Sequence, residues 1–258
     1  MRLVHYNVKR LCALDAVCRT LVALRPDVVT LNEVDVAKNP RVLYDLANTL
    51  GLDSVHFFGH VRGSFGNAVL SRAPAELVDE VHLDGGSVVS HAGQPYRIAR
   101  GLLVCRIGDI ILGCTHLDHM CEVQRRTQMQ HVADAMEQYR GGAAELLLAG
   151  DFNALTRRDY TDAAWAALHA RNARNGWGSP VDSAAPDGAI AALFGRGYGD
   201  AALLAPGAPR AFTSPAVDPC QRIDYLFSGG AAVNVLGVQV DSAAPGSDHL
   251  PLVFDIDS

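Results

Sequence analysis

The hydrophobic pattern of the first fifty residues alternates between two periods. RLVHYNV (2–8) and DVVTLNEV (27–34) are largely apolar runs of strand length. Between them Leu11, Leu14, Cys18, Leu21 and Val22 share one helical face. That helix must stop near Arg25, because Pro26 disfavours helical geometry in the residue before it. Asn39 and Pro40 then offer an N-cap and a first-turn proline. Leu43, Leu46, Ala47 and Leu50 supply the stripe and Gly51 the stop. The order predicted is strand, helix, strand, helix.

From there to residue 117 the pattern becomes β-like. SVHFFG, GNAVLSR, AELVDEVHL, RIARGLLVCRI and DIILGCTHL are short runs separated by glycine and turn residues. A helix follows, with Val123, Met129, Val132, Met136 and Tyr139 at compatible spacing, and AELLLAG is a further buried strand. RIDYLFS, AAVNVLGVQV and LPLVFDI read as closing strands, while 205–220 and 241–248, rich in Ala, Pro, Gly and Ser, read as loops. With no repeat and no long linker, one α/β domain over 1–258 with considerable antiparallel character is the simplest account.

Composition narrows the class without naming a chemistry. At 49% hydrophobic and 19% charged the chain can bury a sizeable core. No apolar run reaches the roughly 18 residues of a membrane span. The N-terminus lacks the apolar core of about 7–15 residues that marks a signal peptide. Six cysteines without a CxxC pair favour reduced thiols, hence a cytoplasmic location. A net charge of −6 argues against a broad basic surface that coats nucleic acid.

The informative feature is where the polar residues fall. Apolar strands repeatedly end in a carboxylate, amide or imidazole: Asn7, Glu33, His116 with Asp118, Asp151 with Asn153, and Asp224. Asp248 and His249 stand just before the last strand. Loops at one end of a sheet carry function on a rigid scaffold, and burying so many acids is costly unless they pair or hold a cation. Oxygen ligands dominate the set, which favours Mg²⁺ or Mn²⁺ over zinc. The stretch GCTHLDHMC is the rival: Cys114, His116, His119 and Cys121 are soft ligands within eight residues. On a strand Cys114 and His116 share a face, but His119 and Cys121 lie beyond it, and the spacing fits no ordinary zinc pattern.

Taken in order, HYNV, LNEVD, GNAVLSR, THLDH, GDFN, RIDYLF and SDHLPLV resemble the endonuclease/exonuclease/phosphatase family, with the deoxyribonuclease I-like fold. The resemblance implies a four-layer α/β/β/α sandwich of two packed mixed sheets flanked by helices, with the site at one edge. It also implies metal-assisted attack of water on a phosphate ester. Glu33 would be the principal Mg²⁺ (or Mn²⁺) ligand, with Asn7 and Asp248 in support. Asp151 would orient or deprotonate the water, and Asn153 would hydrogen-bond it or the phosphate. His116 and His249 would contact the phosphate, with Asp224 orienting His249. Arg100 and Asn67 are further phosphate-binding candidates. Asp118 is either a supporting residue or a turn residue, His119 is incidental, and Arg125 and Gln128 are surface or cap residues.

A phosphodiesterase acting on nucleic acid or a nucleotide-like substrate, most simply as a monomer, is the first expectation. A phosphomonoesterase for a small phosphate, inositol phosphate or phospholipid head group is the alternative, and a silent binding protein of the same fold a further one. The loops 60–66, 84–96 and 171–188 are where specificity is expected, with Trp177 either stacking on a base or pinning its own loop.

Overall fold

The computed structural model describes residues 1–91, 93–142, 145–205, 212–229 and 233–257. Its strands, in chain order, begin with β1 (Arg2–Asn7), β2 (Val28–Asp35), β3 (Ser54–Val61), β4 (Phe65–Ser71) and β5 (Ala75–Leu83). β6 (Val88–His91) and β7 (Gln94–Arg97) form a separate hairpin, and β8 (Arg100–Ile107), β9 (Ile110–His116) and β10 (Glu145–Asp151) follow. β11 (Gly199–Asp200), β12 (Asp224–Ser228), β13 (Asn234–Val240) and β14 (Leu252–Asp257) complete the set. The helices are α1 (Leu14–Leu24), α2 (Val42–Leu50), α3 (Glu122–Glu137), α4 (Asp162–Arg174) and α5 (Ala189–Phe194).

Two six-stranded mixed sheets carry the structure, one ordered β13-β14-β1-β2-β4-β3 and the other β11-β12-β10-β9-β8-β5. Their inner faces share one apolar cluster, in which Leu3, Val69 and Phe254 of the first sheet meet Leu103, Leu112 and Leu226 of the second. The outer face of the first sheet packs on α1 and α2 through Val17, Leu21, Leu43 and Leu46. The outer face of the second packs on α3 and α5 through Met129, Val132, Ile190 and Leu193. Helix, sheet, sheet, helix: the four layers implied by the resemblance are present. Because the central strands are covered on both faces, they read as continuous apolar runs rather than as an alternation.

Each sheet contains one parallel pair, and these pairs position the site. β1 lies parallel to β2, with α1 as the crossover, and β9 parallel to β10, with α3 as the crossover. The register sets Asn7 beside Asn32 in one sheet. In the other it sets Asp151 beside His116 on one flank and Asp224 on the other. The polar strand ends therefore gather at one edge of both sheets.

Several element expectations need correction. α2 begins at Val42, two residues past Pro40, because Asn39 accepts from the backbone N–H of Arg41 in a turn of its own. Val22 (45% exposed) and Val123 (56%) face solvent, not the core. The segment 162–194 contains α4 and α5, which the periodicity did not announce. Of the predicted loop 205–220 and strand 231–240, residues 206–211 and 231–232 lie outside the described residues. No helix among the described residues is long and apolar enough to cross a membrane.

Candidate active site

At the strand ends, one carboxylate oxygen is the meeting point. Asp151 Oδ2 accepts from Asn7 Nδ2 at 3.0 Å and lies 3.6 Å from the Nε2 atoms of both His116 and His249. Its other oxygen accepts from the backbone N–H of Asn153 at 2.9 Å. Asn153 holds that bond by adopting φ +49°, and its side-chain amide donates to His116 Nε2 at 3.0 Å. The glycine of GDFN is a packing requirement: a Cβ on Gly150 would lie 2.0 Å from the Thr115 carbonyl oxygen of the neighbouring strand. Without that close approach Asp151 would not stand beside His116.

His249 is held from the other side. Its Nδ1 lies 2.9 Å from Asp224 Oδ2, and the hydroxyl of Thr213 donates to the same oxygen. Burial alone pushes the imidazolium pKa down, but Asp224 and Asp151 outweigh it and raise the value to about 10. His249 is therefore a fixed cation at neutral pH. Burial likewise raises Asp224, yet the two histidines it touches more than reverse this and hold it well below the usual carboxylate range. Asp151 goes the other way: burial and the charge of Asp224 raise it to about 6, against the pull of His249 and Asn7. His116 is neutral, driven far down by burial and by Arg100. With Asn153 donating to Nε2, the His116 proton sits on Nδ1.

Glu33 reaches this cluster through a bulge. β2 pairs with β4 up to Leu31–Ala68 and resumes at Val34–Gly66, so Asn32 and Glu33 both oppose Asn67. Glu33 sits at φ +57°, a left-handed conformation that costs a non-glycine residue of order 1 kcal/mol or more. The distortion turns its carboxylate to within 3.4 Å of Asn7 Nδ2. The alternating pleat would otherwise have aimed consecutive residues at opposite faces.

Arg100 is buried, with Nε on the Leu117 carbonyl at 3.0 Å and Nη2 at 3.3 Å from His119 Nδ1. The same carbonyl accepts from Asn153 Nδ2 at 3.1 Å, so arginine and amide are tied to one atom. Burial lowers the guanidinium, and the charges of Asp151, Glu33 and Asp118 raise it. His119, read as incidental from sequence, is thus the neighbour of this arginine.

Two of the site residues named from sequence are placed elsewhere. Asp248 points outward, its carboxylate half exposed and 3.1 Å from Lys9 Nζ. It stands next to His249, and adjacent side chains in an extended segment take opposite sides. Asn67 is fully enclosed between the sheets: its oxygen accepts from Asn32 Nδ2 at 2.9 Å, and its amide donates to the Gly101 and Cys114 carbonyls. No part of it is left for a phosphate. Asp118 caps a turn, accepting from Ser87, Met120 and Cys121. Arg125 and Gln128, read as surface or cap residues, are buried, and each hydrogen-bonds the backbone of Asp118.

Two members escaped the sequence. His5, wholly buried in β1, lies between Thr30 Oγ1 at 3.0 Å and Asp224 Oδ1 at 3.2 Å. Asn32 accepts from the Asp151 backbone N–H at 2.8 Å while donating to Asn67, which stitches the two sheets below the site. A polar letter inside an apolar strand was the available signal for both.

The donor set fits a hard cation on the side of Glu33 and Asp151, whose carboxylates offer oxygen, while Asn7 turns its amide nitrogen to both and its oxygen to the Lys9 backbone N–H. Asp151, Asp224 and His249 also bring one ligand atom each within 4.8 Å of one another. A protonated His249 with Nδ1 on Asp224 has no lone pair to give, so that trio suits anion contact better. The four soft residues of GCTHLDHMC do not converge: Cys114 is buried in the inter-sheet core and His119 faces Arg100.

The profile of the Endonuclease/Exonuclease/phosphatase family matches residues 4–249. Solved structures similar over the whole chain include a Bacteroides thetaiotaomicron mannosyl-6-phosphatase (15% identity, 100% of both chains, TM-score 0.66). Human Nocturnin's catalytic domain with bound sulfate is 18% identical over 100% of this chain and 94% of its own, at TM-score 0.61. Humanized D. rerio TDP2 is 16% identical over 100% and 99%, at TM-score 0.57. At these identities the likeness speaks for the fold alone. No curated protein sequence matches the chain significantly. With the family profile running from β1 to the histidine that precedes the last strand, the chain belongs to the Endonuclease/Exonuclease/phosphatase family.

Proposed function

We propose that this protein is a Mg²⁺- or Mn²⁺-dependent phosphodiesterase, with a nucleic acid or nucleotide-like substrate and 1–258 acting as one catalytic unit. The observation that carries this reading is the 3.6 Å approach of the His249 imidazolium to an Asp151 carboxylate whose pKa is raised to about 6. A base poised just below neutral beside a permanent cation is what activation of water against an anionic ester requires.

Glu33 would hold the cation, with Asp151 at its margin and Asn7 fixing both carboxylates through its amide. A cation held there would supply charge neutralisation at the phosphate and at the leaving oxygen. Asp151 takes the proton of the attacking water, and Asn153 orients that water or a phosphate oxygen. His249, charged and clamped by Asp224, contacts a non-bridging oxygen and Arg100 another, while neutral His116 orients the Asn153 amide through Nε2. All six cysteines are free thiols, which suits an intracellular setting.

The test is hydrolysis of bis(p-nitrophenyl) phosphate beside p-nitrophenyl phosphate, with EDTA and after readdition of Mg²⁺, Mn²⁺ or Zn²⁺. Diester turnover restored by Mg²⁺ or Mn²⁺ is expected. Monoester turnover alone would transfer the reading to small phosphates and lipid head groups, and zinc-specific rescue would contradict the ligand assignment.

A further inference from the structure

Beside the phosphate cluster lies a cavity of about 400 Å³ that the chemistry above does not use. Small-molecule sites run from about 300 to 1,000 Å³, so it is large enough for one ring system. Asn153 and His119 form the wall it shares with the cluster, through Asn153 Nδ2 at 3.0 Å from His116 and His119 Nδ1 at 3.3 Å from Arg100. The rest is of mixed polarity: Met120, Trp177 and Ile223 stand beside Arg125, Ser179 and Gln221.

Two of these side chains stand where an apolar group is out of place without a partner. Trp177 is 54% exposed and Met120 59%. The other tryptophan is used internally, with Trp165 packed on Tyr160. Trp177 does not pin its loop; its loop is pinned for it. Asn172 accepts from the Trp177 backbone N–H at 2.8 Å and donates through its side chain to the Gly178 carbonyl at 2.9 Å. The indole is presented from a braced turn, which favours stacking because little freedom is left to lose.

Of the wall's polar groups, His119 is tied to the phosphate cluster. Arg100 can only donate, so His119 Nδ1 accepts from it. Burial and that arginine keep the ring neutral, and Nε2–H remains as a donor. Among the described residues no carboxylate lines the cavity.

We infer that this cavity is a subsite for a planar nitrogen-containing aromatic ring carried next to the scissile phosphate, that is, a nucleobase stacked on Trp177. The inference rests on the phosphoesterase reading for its phosphate and not for its ring. An acyl chain would leave His119 facing hydrocarbon.

The experiment compares wild type, Trp177→Ala and Trp177→Phe on thymidine 5′-(p-nitrophenyl phosphate) and on methyl p-nitrophenyl phosphate. Wild type is expected to prefer the nucleotide ester. Stacking on an aromatic is worth a factor of about 5 to 150, so Trp177→Ala should reduce that preference by this much, mainly through KM, with Phe restoring most of it. A preference unaltered in Trp177→Ala overturns the subsite. A second arm uses Trp165→Phe protein and follows Trp177 fluorescence during titration with thymidine 5′-monophosphate or ribose 5-phosphate. Saturable quenching by the nucleotide alone supports the subsite even if no ester is cleaved, in which case it is the phosphoesterase reading that falls. Equal responses, or none, overturn the subsite even where turnover is robust.

Discussion

His5 Nε2 lies 3.2 Å from Oδ1 of Asp224, on the carboxylate oxygen opposite the one that meets His249 at 2.9 Å. One buried carboxylate is thus held by two imidazoles from opposite ends of the chain. A carboxylate anchored at both oxygens cannot rotate away from His249, so His5 acts as a positioning residue without touching substrate. Replacing a supporting partner of this kind commonly costs about 10- to 100-fold in activity. His5→Ala should lower kcat by that order and leave KM little changed, with His5→Gln recovering part of the loss. An equal fall in melting temperature for both variants with unchanged kcat would make His5 merely structural.

The acid–base pattern fixes a pH dependence. Burial raises the Asp151 pKa to about 6, so the carboxylate is the active ionised form only above that value, and kcat/KM should climb with pH through about 6. His249 must remain charged, and its value near 10 places the falling limb in the alkaline range. A pH–rate profile on a diester measures both limbs. An acidic limb near the ordinary aspartate value of about 3.9 would mean that Asp151 is not the group that titrates.

Glu33 sets stability against function. Its backbone occupies φ +57°, which glycine adopts without penalty. Glu33→Gly should melt at or above the wild-type temperature, by up to about 1 kcal/mol of relieved strain, while losing metal-dependent turnover. Glu33→Gln should lose turnover without that gain. Calorimetry with an activity assay separates the two, and a clearly destabilised Glu33→Gly would mean that the bulge needs the carboxylate.

Asn67 and Arg100 should part company in the same assays. Asn67→Ala removes three buried hydrogen-bond contacts, two of them between the sheets, so a loss of about 2–4 kcal/mol, or roughly 5–10 °C in Tm, is expected with KM unchanged. Arg100→Lys keeps the charge but not the guanidinium fork, so KM for a diester should rise about tenfold with Tm nearly constant. A KM effect from Asn67→Ala in folded protein would restore its place at the phosphate.

These contrasts show what a linear reading can carry. Strand-end polar residues were visible because an acid or imidazole closing an apolar run breaks the pattern just where a sheet meets solvent. His116 and Asp151 follow from that rule, and the register sets Asp151 beside both His116 and Asp224, which opens its own strand. His5 and Asn32 lie inside their strands, and their partners are 219 and 119 residues away, so no local window contains the reason for them. Asp248 and His249 are adjacent in sequence, but adjacent side chains in an extended segment diverge, and only His249 enters the site. Arg125 and Gln128 looked like a polar helix face, but the turn at Asp118 folds over that face and buries it. The bulge at Glu33 is equally silent in sequence, since it depends on how β4 pairs.

Whether Asp151 serves as the base in a metal-dependent site is decided by a single substitution. Wild type and Asp151→Asn, both shown to be folded by circular dichroism and thermal melting, are stripped with EDTA and assayed on a diester after Mg²⁺ or Mn²⁺ is restored. The asparagine protein should lose about 10²- to 10⁴-fold in kcat, the usual contribution of a positioned base, together with the pH dependence near 6. A folded Asp151→Asn protein that keeps turnover within a few-fold of wild type would contradict that role.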